Sequence, residues 1–332
     1  MKKWQVIILV FFQLVTGSTA QAELNALAFS EAERISDLLD QAEDQIDFAR
    51  TKLTIDKIID PTIDIEGTLK QIHRMVEHIR TMLGSNPTSK DKVLAIKKYL
   101  YEVGPWNDSR PYRYDFDDPL GTKISNKLLS NYMASRKGNC VSMPFLFIIL
   151  GQKLGIDVTA STAPLHVLVK YTDTETGITV NLETTSGANP TRDEWYRKQM
   201  PMTDEAIANG LYLQKLSKKE TAVVMATILA EYYFERHELE KTIIISDIQL
   251  AHYPKYDVAM LTKGSSFYLL LEREFVKKYP NPNMIPINER ARLKYLSDSN
   301  RFWFEKAESL GWREPRKDHE ADYLRTVEKD AK

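Results

Sequence analysis

Residues 164–185, PLHVLVKYTDTETGITVNLETT, alternate apolar and polar side chains on both sides of a polar turn. Alternation has the period of a strand, and two alternating runs about one turn predict an antiparallel hairpin. Closing that hairpin symmetrically about TDTETG pairs Tyr171 with Ile178, Val169 with Val180 and Val167 with Leu182. One face is then uniformly apolar, and a slip of one residue would turn it to solvent, so the pattern specifies the register. On the other face His166 is expected directly across from Glu183. Cross-strand Cβ atoms lie about 4.5–5.5 Å apart, close enough for a carboxylate to orient an imidazole and stabilise its charge.

Upstream of the hairpin, NCVSMPFLFIILGQKL lies between Gly138 and Gly155. The apolar run has helical length and a glycine at its expected stop, which places Cys140 at or just before a helix N-terminus. Backbone N–H groups and the helix dipole favour an anion there, and so favour a thiolate. Pro144 disfavours helical backbone at Met143, so the first turn is expected to be irregular. Cys140 is the single cysteine of 332 residues, so no disulfide forms within the chain. The ordinary role of a free cysteine is that of a small buried hydrophobe. An intermolecular disulfide is a further reading of an odd cysteine in a secreted chain, but it leaves the His166/Glu183 pair unexplained.

Secretion is itself an expectation from the first 22 residues. Lys2 and Lys3 precede an apolar run from Trp4 to Val15, and Ala20-Gln21-Ala22 has the small-residue pattern of a cleavage site. This is the grammar of a cleaved signal peptide, with an apolar run shorter than the roughly 20 residues that span a bilayer. The expected location is the periplasm of a Gram-negative cell. Removing the leader lowers Lys+Arg from 45 to 43 against an unchanged Asp+Glu of 46, a net charge near −3. That balance gives no basic footprint for nucleic acid.

The rest of the chain divides by pattern. Residues 23–88 are expected to form an N-terminal helical region, with two amphipathic helices between Phe29 and Leu83 broken at IDPTIDIEG. His73 and His78 are five apart on the second, which is not the spacing of a metal pair, and they are assigned to the surface. Another helix starts at SKDKVLAIKKYLYE with Ser89 as its N-cap. A long loop follows; Asp115, Asp117 and Asp118 in it lack the spacing of a calcium site and are read as a turn. From Ser217 the pattern is helical, and Ala230 with Tyr233 recurs 34 residues later as Gly264 with Phe267. This is the period of a tetratricopeptide hairpin, with ordinary antiparallel helices as the other reading of residues 217–315. Residues 316–332 are read as a charged, flexible tail.

Cysteine at a helix start, then histidine on one strand and an acid on the next, resembles the transglutaminase-like superfamily of papain-related folds. More narrowly, LLSNYMASRKGNCVSMPFLFIILGQKLGIDVTASTAPLHVLVKY resembles the SirB1-type transglutaminase-like domain, whose members often carry tetratricopeptide-like helices C-terminally. The resemblance implies an α+β core over residues 89–216, a Cys-bearing helix packed on an antiparallel sheet. It also implies Cys140 as nucleophile, His166 as base and Glu183 as the third member, where aspartate is more usual. The Cys140 N–H is the natural first oxyanion donor, with Tyr132 or Asn131 as candidates for the second. Arg136, Lys137, Arg192 and Arg197 lie near the motif in sequence, and a solvated surface is their ordinary account. No metal and no organic cofactor is expected. The expected activity is amide hydrolysis or acyl transfer through a thioester, on a peptide, a protein or a peptidoglycan-derived substrate. The competing expectation is a non-catalytic scaffold whose C-terminal helices carry a protein partner.

Overall fold

The structure, a computed structural model, describes residues 19–314 and the side chains from residue 30 onward. Most of the expected leader and the whole charged tail lie outside the described residues. The N-terminal part is α1 (Thr19–Asp40), α2 (Phe48–Ile59), α3 (Ile65–Thr81) and α4 (Ser89–Tyr101). The stretch expected to hold two helices between Phe29 and Leu83 therefore holds three. The extra break has a local cause: Asp47 accepts the Ala49 and Arg50 N–H groups and starts α2 afresh. Gln152 clamps that break from outside, accepting from Phe48 N at 2.9 Å and donating to Ile46 O at 2.7 Å. The cap of α4 is Thr88 rather than Ser89, because Thr88 and Asp91 form a reciprocal capping box. Ser89 is the first helical residue, and its hydroxyl bonds Tyr171 and Glu175 of the hairpin.

The long loop after α4 is not wholly irregular. It contains β1 (Arg113–Tyr114), which pairs in parallel with β2 (Lys137–Gly138) on the far side of α5 (Leu129–Ser135). That short ladder sets Tyr114 beside Gly138, two residues before the cysteine. Gly138 must lack a side chain, since a Cβ there would come within 2.4 Å of the Tyr132 ring.

Next comes α6 (Ser142–Lys153), buried without a break from Ser142 to Gly151. A helix apolar on all sides needs neighbours on all sides. Here α4, α5 and the strands β3 (Asp157–Ala163) and β4 (His166–Thr172) supply them. Gly151 brings α6 close to the sheet, where a Cβ would sit 2.4 Å from Val158. The sheet continues through β5 (Thr179–Glu183) and β6 (Asn189–Thr191), antiparallel and in chain order. It is followed by the short helices α7 (Asp193–Gln199) and α8 (Asp204–Ala208).

The hairpin register differs from the sequence expectation by two residues: Val169 pairs with Leu182, Tyr171 with Val180 and Thr172 with Thr179. The turn closes later than a symmetric reading of TDTETG implies. Asp173 N donates to Ile178 O at 2.9 Å, and the Asp173 carboxylate caps the Glu175 and Thr176 N–H groups. Thr172 and Thr179 thereby become a strand pair, their hydroxyls 2.9 Å apart. A shift of two residues keeps every side chain on its face.

The C-terminal part is α9 (Lys218–Met225), α10 (Thr227–Glu235), α11 (Leu239–His252), α12 (Asp257–Leu271) and α13 (Arg290–Ser309). One apolar core runs from Ile35 of α1 through α6 and the sheet into α9–α12, and smaller clusters lie under α7/α8 and between α12 and α13. Among the described residues no helix is long and apolar enough to cross a membrane.

Candidate active site

Cys140 sits two residues ahead of α6 and is 6% exposed. The turn that carries it is held by Asn139, whose Oδ1 accepts from Val141 N at 3.0 Å and Ser142 N at 3.1 Å. The Ser142 hydroxyl oxygen in turn accepts from Asn139 N at 3.1 Å. This is an N-cap in function, and it leaves the Cys140 N–H outside the cap. Pro144 is accommodated as the third helical residue, in the first turn, where a missing N–H removes no helical bond. The Asn139 cap was legible as an Asn followed three residues later by Ser, ahead of an apolar run.

His166 opens β4 and Glu183 closes β5, and both are buried. In the observed register they are diagonal rather than direct neighbours, a separation that long side chains cross. His166 Nε2 and Glu183 Oε2 are 2.8 Å apart. The carboxylate is fully furnished. Oε2 also accepts from Tyr196 OH at 2.8 Å, and Oε1 accepts from Thr185 N at 3.0 Å and Thr185 Oγ1 at 2.6 Å. Neither Thr185 nor Tyr196 was foreseen. Thr185 follows Glu183 closely enough to suggest a local cap, whereas Tyr196 arrives from α7 and left no local signal.

The electrostatics match this geometry. Burial works against charge on Glu183, but the His166 cation and the bonds from His166 and Thr185 outweigh it and bring the carboxyl down to about 2. Burial likewise opposes charge on His166, yet the Glu183 charge and interactions with Cys140 and Glu183 push the imidazole up to about 10. The thiol and the imidazole are thus electrostatically coupled, and Nε2 is committed to Glu183, which leaves Nδ1 for the thiol side. The Cys140 thiol also lies 3.7 Å from the Leu165 carbonyl oxygen.

The remaining candidates separate. The Tyr132 hydroxyl is buried with no hydrogen-bond partner among the described residues, so its proton is uncommitted, and the ring stands edge-on to Tyr112. The Asn131 amide is turned outward and donates to Ser125 O at 3.0 Å. His73 and His78 are exposed on α3. Asp118 accepts from Thr122, Lys123 and Asn126 as a turn would require. Among the described residues no cluster of three or more His, Cys, Asp or Glu side chains could hold a metal. Arg136 is engaged by Asp108 and backbone carbonyls, Lys137 by Asp117 and Arg197 by Asp204. Arg192 instead lines a groove of about 630 Å³ with Tyr114, Phe116, Pro190 and Trp195, and the groove reaches Glu183.

A nucleophile at a helix start, an imidazole on one strand and a hydrogen-bonded acid on the next, all buried around one point, is the layout of a thiol-dependent acyl-transfer site. Residues 66–227 match the transglutaminase-like superfamily. No curated protein and no solved structure matches the chain. The matched stretch runs from α3 to the start of α10 and contains Cys140, His166 and Glu183.

Proposed function

We propose that this protein is an exported cysteine enzyme that attacks an amide through Cys140, His166 and Glu183. The observation that carries the reading is the buried 2.8 Å bond from His166 to Glu183 on an imidazole coupled to the only thiol. His166 takes the thiol proton, and the resulting imidazolium is stabilised by Glu183. The sulfur attacks the carbonyl carbon, and the Cys140 N–H with the Tyr132 hydroxyl receives the oxyanion. As the C–N bond breaks, the imidazolium gives its proton to the leaving amine, and the acyl group stays on sulfur as a thioester. Water or a second amine then attacks that carbon, His166 takes its proton, and the C–S bond breaks to restore the thiol. Glu183, Tyr196 and Thr185 act through the imidazole as positioning residues.

The acyl donor on this reading is a peptide, a protein or a peptidoglycan stem peptide met in the periplasm. The domain belongs to the SirB1 type and the helices after Ser217 are tetratricopeptide-like. A non-catalytic scaffold is the second reading, and it draws on Tyr268, Tyr295 and Phe302, which stand more than half exposed on α12 and α13. The pH dependence of Cys140 alkylation by iodoacetamide, in the wild type and in His166→Ala, separates the two. Reactivity that persists well below the ordinary thiol pKa of about 8.5, and is lost in the variant, supports the enzyme. A thiol inert until the protein unfolds rejects it.

A further inference from the structure

Two residues, Pro164 and Leu165, join β3 to β4. Proline presets the first corner position of such a turn, and the second then needs a positive φ, which glycine or asparagine supplies without strain. Leu165 occupies it at φ +59. A buried leucine in that conformation could recover the strain by packing, as the 6% exposed Leu213 at φ +60 does. Leu165 is 59% exposed, so its side chain recovers little by packing. It also stands at the reacting centre: its carbonyl oxygen lies 3.7 Å from Cys140 Sγ, and His166 is the next residue. An exposed apolar side chain held on a strained backbone, beside a nucleophile, points to a role toward something outside the chain.

A second exposed apolar side chain supports the same role. Phe116 is 51% exposed and forms a wall of the groove that reaches Glu183, together with Trp195 and Pro190. The basic groups nearest the cysteine in sequence, Arg136 and Lys137, are already neutralised by Asp108 and Asp117. The groove beside the site therefore offers an apolar wall of Phe116, Trp195 and Pro190, with Arg192 and Glu194 as one charged group of each sign at its lining.

We propose that Leu165 is a specificity residue on which the acyl donor rests, and that the donor is a peptide with a bulky apolar side chain beside the attacked amide. This rests on the enzyme reading above. The test compares two electrophiles with one reactive group, N-acetyl-phenylalanyl and N-acetyl-glycyl chloromethyl ketone, as the ratio of their second-order rate constants for native Cys140. Because both rates share the thiol's reactivity, the ratio reads only the side chain. The wild type is expected to prefer the phenylalanyl reagent by at least about tenfold, the scale of burying part of a large apolar group. Leu165→Asn tolerates the same backbone conformation, so it is expected to fold, confirmed by circular dichroism, and to lose most of that preference. Leu165→Met is expected to keep it. A ratio near one in the wild type, or one unchanged in Leu165→Asn, overturns this proposal while the enzyme reading stands. If neither ketone nor iodoacetamide reaches native Cys140, the enzyme reading falls and takes this proposal with it.

Discussion

Glu183→Gln isolates the charge in the site while nearly keeping its shape. The carboxylate holds four hydrogen bonds, from His166, Tyr196 and twice from Thr185, and its charge leads the influences, Cys140 among them, that carry the imidazole to about 10 against the opposing pull of burial. Removing that charge takes away the largest influence raising the imidazole and so lowers it, weakening the imidazolium beside the sulfur. An isolated thiol of pKa about 8.5 is only about 0.3% thiolate at pH 6. A thiolate fully formed beside an imidazolium would exceed that by about 300-fold in concentration, and the weaker intrinsic nucleophilicity of so acidic a thiol takes back about a factor of forty. The expected loss in iodoacetamide rate at pH 6 is therefore up to about eightfold, shrinking toward nothing by pH 9 as the isolated thiol ionises. Rates between pH 5 and 9, with circular dichroism at each pH to confirm the fold, provide the measurement. Coincident profiles for wild type and variant would refute the argument, since Glu183 would then have no electrostatic hold on the pair.

Two further predictions concern buried charge away from the site. Asp257 is raised to about 6 by burial, with Tyr212 donating to one oxygen and no partner on the other. A raised carboxyl stabilises the fold below its unfolded pKa of 3.8 and loses that contribution as pH rises through 6. Asp257→Asn should therefore raise the unfolding free energy at pH 8 by up to about 3 kcal/mol and leave pH 4 nearly unchanged; a variant less stable at pH 8 would contradict this. Lys52 and Asp56 form an ion pair with both side chains fully buried, and Asp56 also receives Leu129 N. Lys52→Met should cost about 3–5 kcal/mol in urea unfolding, with part recovered by adding Asp56→Asn; a loss below about 1 kcal/mol would remove the pair from the stability argument.

Much of the site was legible because its parts are local. The alternation of HVLVKY and ITVNLE, the apolar run after Cys140 and the glycine at 155 each depend on neighbours within about one turn or strand, and each appears where the pattern puts it. The errors fall where a side chain decides between near-equivalent backbones. Asp173 set the hairpin turn, Asp47 divided a helix in two, and Thr88 took the cap from Ser89. In each case a short polar side chain bonds backbone N–H groups two or three residues on, and the competing frame differs by only one or two positions. Tyr196 is a different matter. Its hydroxyl reaches Glu183 only because α7 folds back over β5, which no nearby residue announces.

The register error and the survival of the His166–Glu183 bond have one explanation. Strand faces repeat every two residues, so the apolar set Val167, Val169 and Tyr171 constrains register only modulo two. A shift of one would have put His166 against the core, and the pattern excludes it. A shift of two leaves the faces intact and moves Glu183 from a direct to a diagonal neighbour, a distance its side chain covers to reach 2.8 Å. A two-carbon stem spans that diagonal more readily than the one-carbon stem of aspartate. The glutamate, which departs from the superfamily's usual aspartate, is in this hairpin the residue whose length fits the register that Asp173 imposes.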